Sequence, residues 1–282
     1  MEGNIRLARD RKMSYSVKGN EAYKALRSFR EYASSLYHER YRFPYLCGSY
    51  FAYRKIDVMR VVAIAKSISS QPRYLDVGCG YGDFLEKVRE FIPNAIGIEN
   101  DNIFYNFNMI KPNYIYFHDA SLNIDDEFDV IFVGWMDPGI DFRKNVADKT
   151  EVVITTLDEG ISLAAEYEDL GFQKIAEWRT PSWEDMNIEL MNRYYTKIPK
   201  NVYRQLSDLR GAHNLWYVYS RNPQNFQRIR ASLRGCLRQE LSVTSNYNFE
   251  FVMDDCGFGY LEQLSGVGRK IKLNKLWEVI FT

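Results

Sequence analysis

The sequence predicts an α/β protein: a doubly wound, mostly parallel seven-stranded sheet with helices on both faces, plus N-terminal helical and C-terminal α+β additions. Three observations predict it. Between residues 54 and 220, short apolar or β-branched runs alternate with stretches of helical periodicity. The turn Gly78-Cys79-Gly80-Tyr81-Gly82 follows the first such run and opens an amphipathic stretch. Acidic residues, Glu99 and Asp119, close the next two runs, so right-handed crossovers bring three strand ends to one edge.

Residues 1–19 are polar and charged without periodicity and are read as an arm. Asn20 is a plausible N-cap for a helix carrying Ala22, Leu26, Phe29, Ala33 and Leu36 at 3.6-residue spacing. The aromatic segment from Tyr41 to Tyr53 is broken by Pro44 and Gly48. Its tyrosines either line a pocket or seal one layer onto another. These pieces form a first region, 1–53. The core, 54–220, opens with a helix marked by Val58, Val61, Val62, Ala65 and Ile68.

Tyr74 to Val77 is the first strand. Glycines at alternate positions permit positive φ and a close backbone approach, and the unpaired N–H groups of the next helix start favour an electron-rich or anionic group. Phe84, Leu85, Val88 and Phe91 mark that helix, and Pro93 ends it. Ala95 to Ile98 is the second strand, stopping at Glu99, whose two oxygens can accept hydrogen bonds from both hydroxyls of a ribose. A helix through Ile103, Phe104, Phe107 and Ile110 leads to the third strand, Tyr114 to Phe117, closed by His118-Asp119-Ala120. His118 reads as an interior or rim histidine.

Phe128 to Val133 is a buried fourth strand, running into Gly134-Trp135-Met136-Asp137-Pro138-Gly139. Val152 to Thr156 is the fifth, followed by a helix through Leu163, Ala164, Tyr167 and Leu170 that Gly171 caps. Phe172 to Trp178 and Leu215 to Ser220 complete the sheet, separated by an insertion, 179–214, that serves as a lid, a partner surface or plain decoration. In the extension, 221–282, Ile229, Leu233, Cys236 and Leu237 suggest a basic amphipathic helix, and Phe249 to Met253 and Trp277 to Phe281 suggest strands.

Composition narrows the classes. The 282 residues carry 37 basic and 37 acidic side chains, so net charge gives no argument for nucleic-acid or membrane-surface binding. Basic residues do gather toward the ends, as Arg6, Arg9, Arg11, Lys12 and Lys18 and again as Arg228, Arg230, Arg234 and Arg238. Such runs either contact an anionic partner or are solvated helix faces. Cys47, Cys79, Cys236 and Cys256 form no C-x-x-C pair, which argues for neither a zinc site nor a disulfide scaffold and fits a reducing compartment. No apolar run reaches the ~18 residues that span a bilayer. A soluble, cytoplasmic protein with no membrane association is the expectation.

The loop departs from the dinucleotide fingerprint G-x-G-x-x-G, because Asp83 stands where the third glycine belongs. The string Leu75-Asp76-Val77-Gly78-Cys79-Gly80-Tyr81-Gly82 instead resembles the first motif of the class I S-adenosylmethionine-dependent methyltransferases. The resemblance implies that the cofactor's methionine end lies against Gly78, Gly80 and Gly82, with Cys79 and Tyr81 in the same loop and Asp76 orienting the loop and the amino group. It assigns the ribose to Glu99, with Asn100 and Asp101 nearby, and the adenine amino group to Asp119, with backbone at Ala120 touching the ring. It places Gly134 and Trp135 where the methyl is transferred, with Trp135 or Met136 packing on adenine.

The family's amino-methylating pattern, Asn/Asp-Pro-Pro-aromatic, is only half kept in Asp137-Pro138-Gly139-Ile140. Its metal-dependent members carry an acid where this chain has Gly134, so no metal site is expected. Asp137 is a candidate for orienting or deprotonating the acceptor, and His213 a second general-base candidate. The implied activity is transfer of a methyl group from S-adenosyl-L-methionine to a small-molecule or RNA acceptor. A catalytically inactive cofactor-binding partner subunit and an aminopropyltransferase are the alternative readings. The insertion and the terminal additions are where a protein partner or acceptor selectivity is expected to lie.

Overall fold

The structure, a computed structural model, describes residues 53–100, 110–134, 136, 140–157, 166–180, 215–236 and 278–282. The chain divides into two compact units. One gathers Met1–Arg54, Thr180–Asn214 and Val243–Trp277, nearly all outside the described residues; the other comprises Lys55–Arg179, Leu215–Ser242 and Glu278–Thr282 and holds the sheet. The expected N-terminal helix, the aromatic segment 41–53 apart from Tyr53, the helix 103–110 apart from Ile110, the insertion 179–214 apart from Arg179 and Thr180, and the strand at 249–253 lie outside the described residues.

Among the described residues the sheet has eight strands: β1 Tyr74–Val77, β2 Ile96–Glu99, β3 Ile115–Phe117, β4 Val130–Val133, β5 Val152–Leu157, β6 Gln173–Arg179, β7 Leu215–Ser220 and β8 Ile280–Phe281. Their spatial order is β3-β2-β1-β4-β5-β7-β6-β8. The first five pair in parallel, with Asp76 opposite Gly97 and Phe132. The β5–β7, β7–β6 and β6–β8 pairings are antiparallel. The sheet is thus mixed and eight-stranded, where the sequence predicted seven mostly parallel strands. The added member is two residues from the chain end that pair with β6 through Ala176 and Glu177, a contact no local pattern announces.

Four helices are described: α1 Lys55–Ile68, α2 Asp83–Arg89, α3 Arg143–Ala147 and α4 Pro223–Cys236. Alternation along the strands separates two faces. On one, Leu75, Val77, Ile131, Val133, Val153 and Tyr219 pack with Phe142, Val146 and Ala147 at and before α3. On the other, Phe84 of α2 meets Phe132 and Trp216, and Trp216 stacks on Trp178 with centroids 5.4 Å apart. α1 closes that face: Asp57 accepts a 3.1 Å bond from the Trp178 indole N–H, and the Arg60 guanidinium lies over the same ring. α4 lies against α1, its Cys236 thiol directed at the Met59 carbonyl.

Local chemistry sets the boundaries. The helix expected to end at Leu170 is described only as a 3₁₀ turn, Glu168–Leu170, which Gly171 ends at φ 81°. Among the described residues no helix is long and apolar enough to cross a membrane.

Candidate functional site

Strand order reverses at β1, since β2 and β3 lie to one side and β4 and β5 to the other. In open α/β sheets such a reversal leaves a crevice at the carboxyl ends of the strands. The glycine loop fills the position. Leaving Val77, the chain folds over β2, where the N–H groups of Gly78 and Cys79 both donate to the Ile98 carbonyl, at 3.0 and 3.2 Å. Gly78, Gly80 and Gly82 all have positive φ, at 72°, 55° and 75°. At Gly82 the requirement is double, because a Cβ there would also fall 2.3 Å from Ile115 Cδ1. The Gly82 carbonyl then receives the Glu86 N–H at 2.8 Å, and α2 begins.

Cys79 faces away from solvent. Its Sγ sits over Gly97, where an added Cβ would come within 2.7 Å of it. Burial pushes the thiol's pKa up, with Asp76 and Glu99 adding to the effect, so Cys79 is a packing residue whose backbone alone belongs to the loop surface. The Tyr81 ring is likewise buried.

Three carboxylates are buried around this loop: Asp76, Asp83 and Glu99. Glu99 braces it, with Oε2 accepting from the Gly80 N–H at 2.8 Å and Oε1 from the Asn100 N–H at 3.0 Å. Asp76 differs. Only 1% exposed, it has an Oδ1 with no hydrogen-bond partner. Burial first, then the charges of Asp83 and Glu99, raise its carboxyl well above the ordinary range. A buried acceptor without a partner is the exception in a folded protein.

Gly134, at the end of β4, donates its N–H to the Val77 carbonyl at 2.9 Å. A Cβ on Gly134 would lie 3.3 Å from the Gly78 carbonyl and 3.5 Å from Asp76 Oδ1, so glycine here lets the ends of β1 and β4 come together. Beyond them opens a cleft of about 380 Å³, counting the space at its mouth, lined in part by Gly78, Glu99, Asn100, Asp119 and Ala120. Asp119 is half-buried and ionised. Hydrogen bonds from Ser121, one of them from its N–H to Oδ1 at 2.8 Å, hold the carboxyl below the usual range. His118 lines the cleft with its Nε2 within 2.6 Å of the Asn123 carbonyl, so that nitrogen carries a proton.

The structure therefore brings Asp76, Gly78, Gly80, Glu99, Asn100, Asp119, Ala120 and Gly134 to one end of the sheet. Asp101, Trp135, Asp137 and His213 lie outside the described residues. Among the described residues no group of three His, Cys, Asp or Glu side chains is placed to hold a metal ion. Sequence reasoning missed Ile140 and Phe142, which wall the cleft before α3, and Asn145, which holds the Ala120 turn. The five residues of α3 are too short to show a period.

No family description and no curated protein matches the chain. Solved structures similar to it are mostly S-adenosylmethionine-dependent methyltransferases. One is a TehB-like methyltransferase from Corynebacterium glutamicum, at 14% identity over 66% of this chain and 96% of that one, with a TM-score of 0.40. Another is a candidate RNA methyltransferase from Pyrococcus horikoshii, at 12% identity over 71% and 95%, with a TM-score of 0.38. A third is the bifunctional kinase-methyltransferase WbdD, at 15% identity over 70% of this chain and 46% of that one, with a TM-score of 0.39. These are likenesses only.

Proposed function

We propose that this chain binds S-adenosyl-L-methionine in the cleft and transfers its methyl group, by in-line displacement, to a small-molecule or RNA acceptor. The observation that carries the reading is the gathering of Gly78, Glu99 and Asp119, from the ends of three adjacent parallel strands, around one crevice. The residues fit the cofactor in kind. Asp76 offers a buried, unpartnered oxygen to an ammonium group, Glu99 brings a carboxylate to the cleft wall beside a ribose diol, and ionised Asp119 offers an acceptor to an adenine amino group. Bound there, the cofactor supplies a methyl already activated by the sulfonium.

The protein's remaining work is positional. The glycine loop and Gly134 set the line along which an acceptor nucleophile must enter, and a well-held near-attack geometry supplies most of the rate. For an oxygen or a protonated amine, a proton must also leave, and Asp137 and His213 are the proposed residues for that step. The insertion 179–214, the N-terminal region 1–53 and the extension 221–282 are proposed to select the acceptor or seat a protein partner. Calorimetric titration with S-adenosylmethionine tests the reading. Gly80→Arg is expected to abolish binding by filling the loop. Glu99→Ala is expected to weaken it by about tenfold to a hundredfold, the scale of hydrogen bonds to a charged acceptor. Unchanged affinity in both variants would discard the site. Methyl incorporation from labelled cofactor into fractionated cell extract would then identify the acceptor.

A further inference from the structure

The base end of the cleft is not self-supporting. Asp119 and Ala120 belong to a turn closed from within by two bonds to Asp119, from the Ser121 N–H to Oδ1 at 2.8 Å and from the Leu122 N–H to the carbonyl at 3.1 Å. From outside, the His118 N–H anchors the residue before the turn to the Glu99 carbonyl at 3.0 Å, and α3 holds the turn itself. Asn145 donates from Nδ2 to the Ala120 carbonyl at 2.8 Å and to the Ser121 carbonyl at 3.1 Å. A carboxamide suits this place, because its two N–H bonds serve two carbonyls, whereas an isosteric carboxylate has none to give. The segment entering α3 also supplies Ile140 and Phe142 to the cleft wall, so one short element fixes both the turn and the surface opposite it. Asn145 is not among the cleft-lining residues.

We propose that Asn145 is a positioning residue that sets base selectivity: by tethering carbonyls 120 and 121 it holds the Asp119 carboxylate where it accepts from a 6-aminopurine and repels a 6-oxopurine. The inference rests on the cofactor reading above and adds a residue that touches no ligand. A carboxylate held at a fixed place discriminates between an N–H donor and a carbonyl acceptor, while one on a loose turn swings away from either.

The test uses the full chain and two probes that differ along the C6–N1 edge of the purine, S-adenosylhomocysteine with a 6-amino group and bare N1 and S-inosylhomocysteine with a 6-oxo group and N1–H, titrated calorimetrically. The unsubstituted protein is expected to prefer the adenosyl compound by about tenfold or more, the scale of a hydrogen bond to a charged group. In Asn145→Asp, which sets a carboxylate against two carbonyls, the preference is expected to fall to within about twofold, while the affinity for the inosyl probe stays nearly constant. Asn145→Ala removes the tether without adding charge, is expected to behave in the same direction, and keeps the question open to an answer if the aspartate variant does not fold. Hydrogen exchange at the Ser121 and Leu122 amides of the ligand-free protein is expected to quicken in both variants. Equal loss of affinity for the two probes, with the ratio intact, would mean a merely structural role and would overturn the inference alone. Binding of neither probe by the unsubstituted protein would overturn the cofactor reading and this inference with it.

Discussion

The ring stack beneath the sheet and the glycine loop at its end are neighbours built on opposite terms. In the stack, Phe84, Phe132, Trp216 and Trp178 pack at centroid separations of 5.1 to 5.7 Å, and the indole N–H of Trp178 is satisfied by Asp57. In the loop, three residues hold positive φ and Asp76 keeps a buried oxygen without a partner. The two are joined in sequence, since Phe84 follows Asp83 at the start of α2 and Phe132 precedes Gly134 by two residues. The difference teaches where each kind of free energy sits. Ring burial stabilises the fold and leaves nothing for a ligand to satisfy, whereas the loop holds the desolvated, unpartnered oxygen of Asp76, a cost that a ligand can relieve.

The largest expected effect breaks the stack alone. Trp216 is fully buried and touches three other rings, so Trp216→Ala should cost about 3–5 kcal/mol in denaturant unfolding. Cofactor affinity per folded molecule should stay within about twofold, because truncation at the stack removes no ligand contact. A loss of affinity as large as that of Glu99→Ala would show that stack and loop are one unit. Gly97→Ala sharpens the boundary from the other side. The new Cβ would meet Cys79 Sγ and Leu85 Cδ2, each at 2.7 Å, an overpacking that should cost about 1–3 kcal/mol. Adding Cys79→Ala should return at least about 0.5 kcal/mol of it, the coupling expected of residues in contact. Simple additivity of the two would place the strain elsewhere.

Asp76→Asn addresses the loop's electrostatics. Because the folded carboxyl is raised, the group's contribution to stability is fully present below the unfolded value near pH 4 and is lost as pH rises through the folded one. The ligand-free asparagine variant should therefore match the parent near pH 4 and be more stable at neutral pH, by about 1–3 kcal/mol. Its cofactor affinity should fall at the same time, the trade expected of a residue kept for binding. Melting temperatures followed from pH 4 to 7.5 measure it, and a difference that does not change with pH would refute the assignment of a buried, ligand-awaiting acid.

The loop was legible because its chemistry is local. Alternate glycines after Val77, and acids at the ends of the second and third strands, are read directly from residue types, and the right-handed crossover rule alone brings Gly78, Glu99 and Asp119 together. The bracing of Gly80 by Glu99 was not legible, since it depends on how the loop folds back over β2. Nor was Asn145, whose two partners lie 24 and 25 residues away in sequence. The same limit hid β8. Ile280 and Phe281 read as a strand, but nothing near them says that β6 is the partner. Helix α4 began six residues earlier than its apolar spacing suggested, at Pro223, because proline suits a first turn where no apolar residue is required.

The smallest effect tests whether every unpartnered buried atom marks a site. Tyr167 is fully buried between Phe172 and Tyr219, at 5.8 and 5.7 Å, and its hydroxyl has no hydrogen-bond partner. It resembles Asp76 in that respect but differs in charge: burial pushes the phenol's pKa far upward, so it stays neutral at every pH the protein meets and awaits no cation. Removing a desolvated, unbonded hydroxyl costs little and can repay its desolvation. Tyr167→Phe should thus change stability by between zero and about +1 kcal/mol, without pH dependence between 5 and 8 and without effect on cofactor affinity. A destabilisation beyond about 1 kcal/mol would reveal a partner for the hydroxyl. A shift in affinity would carry the ligand's influence through the core cluster that Tyr167 shares with Phe142 and Ala120 of the cleft wall. The contrast with Asp76 would then rest on place in the molecule and no longer on charge.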